Sequence, residues 1–135
     1  MDEKAKTKYI KQAFKNYNEN KKALKTLAFE SVKGINYGEV KTKKTNAPRW
    51  NENALIGYIS QKETLEKQIQ LVDRVLWWYK LDGGGRDEYI KVRYFKKYPL
   101  YRCAMELYAA QGTLCRWDKE FISLAKAAAD LFNLY

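Results

Sequence analysis

The 135-residue chain contains no histidine, only two cysteines and two prolines, and no long apolar run. Without histidine it lacks the side chain that most often serves as general base and most often ligates a metal. Cys103 and Cys115, with no second cysteine pair, match none of the usual zinc spacings and are read as free thiols in or near a core. No metal and no cofactor is therefore expected. No catalytic residue is expected either, because acid–base work would fall to Asp, Glu, Lys or Tyr with no paired carboxylates on one face to support it. No stretch approaches the length of a membrane span, and the Lys-rich start lacks the apolar core of a secretion signal. A cytoplasmic, reducing location without membrane contact is expected. The glycine triplet at 83–85 is followed by neither the lysine nor the hydroxyl of a P-loop, and no repeat or low-complexity segment is visible.

What the chain has is positive charge. It carries 26 Lys and Arg against 16 Asp and Glu, a formal charge of +10. Such an excess favours a polyanionic partner, nucleic acid being the commonest. The excess is uneven: residues 1–50 hold 13 cations and 5 acids, residues 51–85 hold 4 and 5, and residues 86–135 hold 9 and 6. With 46% hydrophobic residues the chain has the material for a folded core between its basic flanks.

The spacing predicts one helix from about Glu3 to Phe29, with Ile10, Phe14, Tyr17, Leu24 and Ala28 on a stripe interrupted at Lys21. Its other side carries Lys4, Lys8, Lys11, Lys15, Lys22 and Lys25, either a solvated face or a phosphate-contacting one. From Ser31 to Asn51 the periodicity stops among Gly34, Gly38 and Pro48. A basic loop containing Lys41, Lys43 and Lys44 is expected there, either tracking a nucleic-acid backbone or serving as a half-packed connector. Ala54 to Leu81 then reads as a long helix. Its seam is Leu55, Tyr58, Lys62, Leu65, Ile69, Val72, Leu76 and Tyr79, suited either to an antiparallel hairpin with the first helix or to pairing with a second copy. Trp77 and Trp78 are adjacent, so one is expected to face the C-terminal segment, with core packing as their role.

Asp82-Gly83-Gly84-Gly85 ends that helix and is read as a hinge between a module at 1–82 and a domain at 86–135. Arg86 to Tyr98 reads as a basic helix. A short helix then opens at Pro99, where a missing N–H costs nothing. A break follows at Ala110-Gln111-Gly112, with Gly112 suited to a left-handed turn, and Thr113 is placed to cap a last helix. Leu114, Trp117, Phe121, Leu124, Ala128, Leu131 and Tyr135 form the apolar stripe of that helix. The layout is that of a helix-turn-helix, a pattern also found in helical proteins that bind no DNA.

The expected fold is thus all-α: an N-terminal helical hairpin or coiled-coil-like module followed by a trihelical helix-turn-helix domain. Thr113, Arg116, Lys119 and Glu120, on the first two turns of the last helix, are the candidates for base contacts. Arg86, Lys91, Arg93, Lys96, Lys97 and Arg102, with Lys41, Lys43 and Lys44 of the loop, are the candidates for phosphate contacts.

The Lys-rich first helix, the basic loop, the seam helix, the segment Asp87-Glu88-Tyr89-Ile90 with Tyr94-Phe95, and the terminal helix-turn-helix together resemble a family. It is that of the late-transcription regulators of phages and prophages in Gram-positive bacteria, the RinA and ArpU type, whose C-terminal part resembles the fourth region of sigma factors. The resemblance covers most of the chain in architecture and is specific from about Arg86 onward. It implies an activator of packaging and structural genes that binds double-stranded DNA in the bacterial host cytoplasm and contacts RNA polymerase. It further implies Gly112-Thr113 as turn and helix start, Thr113, Arg116 and Lys119 as recognition contacts, and Arg102, Lys96 and Lys97 as phosphate contacts. The sequence departs from that pattern in Asp118 and Glu120, two acids on or beside the reading face, and in the bulk of Trp117. Competing functions are a small-terminase-like packaging subunit, a homo-oligomeric ring built through the seam helix, and a polymerase-binding or anti-repressor protein–protein module.

Overall fold

The computed structural model describes residues 2–41 and 52–135, with side chains for 2–29 and 54–135. Among the described residues the chain is all-α, without a strand. Its helices are α1 (Glu3–Lys15), α2 (Tyr17–Lys41), α3 (Glu52–Asp82), α4 (Arg86–Ile90), a π-helical segment (Lys91–Phe95), α5 (Leu100–Leu107) and α6 (Gln111–Phe132). Lys43 and Lys44 lie outside the described residues, as does the side chain of Lys41.

The single first helix expected over Glu3–Phe29 is two. Asp2 opens α1 by accepting a hydrogen bond from the Ala5 N–H at 2.7 Å, and Asn16, at φ −101° and ψ 13°, breaks it from α2. The loop expected from Ser31 is also corrected, since α2 runs on to Lys41 through Gly34 and Gly38. A lone glycine costs a helix interior only about 1 kcal/mol, too little to stop it.

Helix α2 packs antiparallel on α3, with the Tyr17 hydroxyl donating to Asp73 and Asn20 Nδ2 donating to Gln68 at 2.7 Å. The C-terminal half of α3 enters the core with Leu71, Val72, Val75 and Tyr79, a stripe shifted from the expected seam and wider than it. The reason is that α1, α4 and α6 meet α3 from more than one side, whereas a seam of two residues per heptad serves a single partner. Trp77 and Trp78 depart further from expectation: both are more than half exposed, at 62% and 56%.

One apolar cluster joins elements on both sides of the glycine triplet. Phe14 of α1 meets Phe121 of α6 edge-on at 4.5 Å and Tyr94 at 6.1 Å, while Tyr94 lies 5.2 Å from Phe121. Burying a ring such as Phe14 contributes about 1.5–3 kcal/mol. Tyr9 donates to the Leu134 carbonyl at 2.7 Å, tying α1 to the end of α6. At the triplet, Gly83 and Gly85 have φ of 71° and 81°, and a Cβ on Gly84 would stand 2.8 Å from an Arg86 guanidinium nitrogen. The left-handed φ at Gly83 and Gly85 calls for glycine, whereas the guanidinium at the end of a flexible side chain could move aside at Gly84.

Between α5 and α6 the turn falls earlier than expected. Tyr108, not Gly112, takes the left-handed conformation (φ 52°), and the Ala109 N–H closes back on the Ala104 carbonyl at 3.1 Å. This is the Schellman closure that pairs orphan carbonyls at a helix end. Helix α6 starts at Gln111 with Ala110 as its cap and no side-chain capping bond, so Thr113 lies inside its first turn and Gly112 is helical.

Candidate nucleic-acid interface

The segment ahead of α5 sets the geometry of the region. Tyr89 and Tyr94 are five residues apart, which an α-helix would rotate by about 140° relative to each other. The i→i+5 winding of the π segment, closed by the Lys96 N–H on the Lys91 carbonyl at 2.9 Å, turns both tyrosines toward α6. There their hydroxyls donate to the same oxygen, Asp118 Oδ1, at 2.9 and 2.6 Å. Burial first, and Asp118 second, raises the pKa of each tyrosine well above its ordinary value. Asp118 is therefore turned inward and is not a charge on the outer face of α6.

Glu120, the second acid, is also engaged. Arg86 grips it through Nε at 3.1 Å and a terminal nitrogen at 3.0 Å, lies 3.8 Å from Asp82, and rests its guanidinium 5.3 Å from the Trp117 ring centroid. On the leading turns of α6, Arg116 and Lys119 are exposed and have no partner among the described residues, Cys115 is exposed beside them, and Thr113 is half-buried.

The other candidates divide by their partners. Arg93 is half-buried and donates to the Tyr98 carbonyl at 2.9 Å, closing the end of the π segment. Lys97, itself at φ 61°, pairs with Glu19 at 3.1 Å, and Lys91 pairs with Glu88 at 3.6 Å. Arg102 stacks over the Tyr98 ring at 3.7 Å and Lys96 stands 5.8 Å from the same ring, so these two cations gather on one aromatic at the entry to α5.

Sequence reasoning missed a cleft of about 320 Å³ between α1, the π segment and α6. Lys11 and Lys15 of α1 line it together with Arg93 and Lys119, and with Tyr89, Tyr94 and Asp118. The lysine spacing of α1 is visible in the sequence, but nothing there tells which helix it faces. A second, apolar groove lies between α3 and the far half of α6, lined by Trp77, Trp78, Leu124, Ala128, Leu131 and Phe132. Among the described residues no helix is long and apolar enough to cross a membrane.

Comparison with protein families, with curated proteins and with solved structures finds no match to this chain.

Proposed function

We propose that the protein is a non-enzymatic, sequence-specific binder of double-stranded DNA that regulates transcription, an activator of late phage genes of the kind its sequence resembles, with the leading turns of α6 as the reading element. The observation that carries this is the disposal of the two acids. Asp118 is held inward by two tyrosines and Glu120 is held by Arg86, which leaves Arg116 and Lys119 as the unpartnered charges of those turns. Arg116 is the side chain fitted to bridge guanine O6 and N7, an interaction worth about 1–3 kcal/mol of discrimination. Arg102 and Lys96 are assigned to phosphates beside it.

Selection from random duplexes, followed by binding to the selected sequence and to a scrambled one, tests the assignment. Arg116→Ala should lose about tenfold or more of the preference between them, in line with the energy of a bidentate pair. Lys96→Ala should weaken both alike and shallow the salt dependence. Equal preference in Arg116→Ala and the parent would exclude α6 as the reading helix in this register.

The apolar groove beside Trp77 and Trp78 favours a second reading, a protein–protein module in which the basic faces meet acidic protein. Such a protein would show no salt-sensitive retention on mixed-sequence DNA beyond that of its net charge.

A further inference from the structure

Lysines 4, 8, 11 and 15 recur at spacings of four, three and four, which places them along one face of α1 over about 16 Å at 1.5 Å per residue. None has an ion-pair or hydrogen-bond partner among the described residues. Their neighbours contrast with them: Lys6 pairs with Asp130 at 3.3 Å, and Lys126 of α6 pairs with Glu3 at 2.8 Å. The fold therefore neutralises the cations on the side of α1 that faces the end of α6 and leaves the next face bare.

That bare face runs into the cleft. Lys11, Lys15, Arg93 and Lys119 all line it, so three helical elements bring four cations to one cavity. The acid within reach offsets only one of them. Asp118 accepts hydrogen bonds from Tyr89 and Tyr94 and keeps its single negative charge, so four cations face one carboxylate in the cleft. Holding like charges together is unfavourable unless an anion is shared between them, and a volume of about 320 Å³ corresponds to about ten waters at ~30 Å³ each, ample for a phosphate group.

We propose that α1 is a second nucleic-acid-binding edge: a backbone phosphate seats between Lys11, Lys15 and Lys119, and the strand leads from there along Lys8 and Lys4. This rests on α6 facing DNA, because Lys119 belongs to both the cleft and the leading turns. Phosphate is the chemistry recognised, and its source is the polymer backbone rather than a free phosphate.

The test compares the full-length parent with a Lys8→Gln, Lys11→Gln, Lys15→Gln triple variant and with a Lys21→Gln, Lys22→Gln, Lys25→Gln variant of α2 that removes the same charge. Binding to mixed-sequence duplex DNA is measured by fluorescence anisotropy over a salt series, with circular dichroism to establish that each variant is helical. The α1 triple should bind at least tenfold more weakly, and its plot of log affinity against log salt should be shallower by about 1–2, one phosphate contact being worth about 0.9 and Lys11 and Lys15 sharing one phosphate. The α2 variant should change by less than threefold. Equal losses in the two variants would overturn the proposal while leaving DNA binding through α6 intact. Absence of salt-sensitive duplex binding in the parent would defeat the α6 assignment and this edge with it. In a parallel arm, inorganic phosphate and pyrophosphate are tested for thermal stabilisation. If either stabilises the parent, fails to stabilise the triple, and the triple still binds duplex like the parent, the cleft belongs to a free phosphate and the backbone edge is refuted.

Discussion

Tyr94 donates its hydroxyl proton to Asp118 across the π segment and α6 at 2.6 Å, sharing that carboxylate with Tyr89. The bond decides which way Asp118 points, and so which charges the leading turns of α6 offer outward. A hydrogen bond to an ionised group is worth about 1.5–3 kcal/mol. Tyr94→Phe should lower the urea midpoint of unfolding by that amount of free energy, and in an Asp118→Ala background the same substitution should cost almost nothing. Additive losses would mean that the two side chains are not partners in solution.

Alkaline pH tests the buried Tyr79, Tyr89 and Tyr94 together with the half-buried Tyr17. Burial raises Tyr79 to about 12, and burial with Asp73 raises Tyr17 to about 12, while Tyr89 and Tyr94 are also raised, by burial first and Asp118 second. The unfolded chain ionises them near 10. Below that value both states keep their protons, so stability is insensitive to these groups. Above it the unfolded state releases protons that the folded state retains, and stability falls with rising pH. Urea midpoints measured from pH 8 to 12 should be flat up to about 10 and then decline, by about 1.4 kcal/mol per pH unit for each tyrosine still protonated in the fold. A flat profile to pH 12 would contradict their burial.

The turn between α5 and α6 gives a pair of matched expectations. Gly112 is helical, and a Cβ added there would meet nothing within 4 Å, so Gly112→Ala should stabilise by roughly 0.5–1 kcal/mol. Tyr108 holds φ 52° and is 96% exposed, so Tyr108→Gly should stabilise by a similar amount of about 1 kcal/mol by removing left-handed strain. Thermal denaturation of the two variants checks this. Destabilisation by Gly112→Ala would return the turn to Gly112.

Arg86 separates two roles through its partner. If its task is to hold Glu120, Arg86→Ala releases a negative charge beside Arg116 and weakens duplex binding, and adding Glu120→Gln restores most of the loss. If Arg86 itself grips a phosphate, the second substitution restores nothing. The pair is partly exposed and contributes about 0.2–1 kcal/mol to stability, so both variants should stay folded at room temperature.

Much is legible from local pattern. Helices announce themselves through three-and-four spacing, the end of α3 through its glycines and the start of α5 through Pro99. The all-α class follows from these, because each depends on residues within one or two turns of each other. Details governed by small local energies are not legible in the same way. Asn16 breaks a helix whose apolar stripe runs on past it, Gly34 and Gly38 do not stop α2, and Tyr108 takes the left-handed position that Gly112 is suited to. In each case the backbone preference at stake is only about 1 kcal/mol, too small for residue type alone to decide it.

By itself the sequence determined a helical, strongly basic chain with a neutral middle, since charge and periodicity are properties of residue order. The packed faces were not determined by it, for Ile122, Ala125 and Ala129 are buried off the expected stripe of α6 while Leu131 on it is 76% exposed. Only the tertiary structure decided what those charges meet. Asp118 lies four residues after Leu114 and Glu120 one before Phe121, and nothing in that order says that Tyr89 of α4 and Tyr94 of the π segment capture one acid while Arg86 captures the other. Nor does spacing say that Lys11 and Lys15 line one cleft with Lys119. Side chains far apart in the chain become neighbours through the packing of Phe14 against Phe121 and Tyr94, and that packing is set by shape and burial across elements.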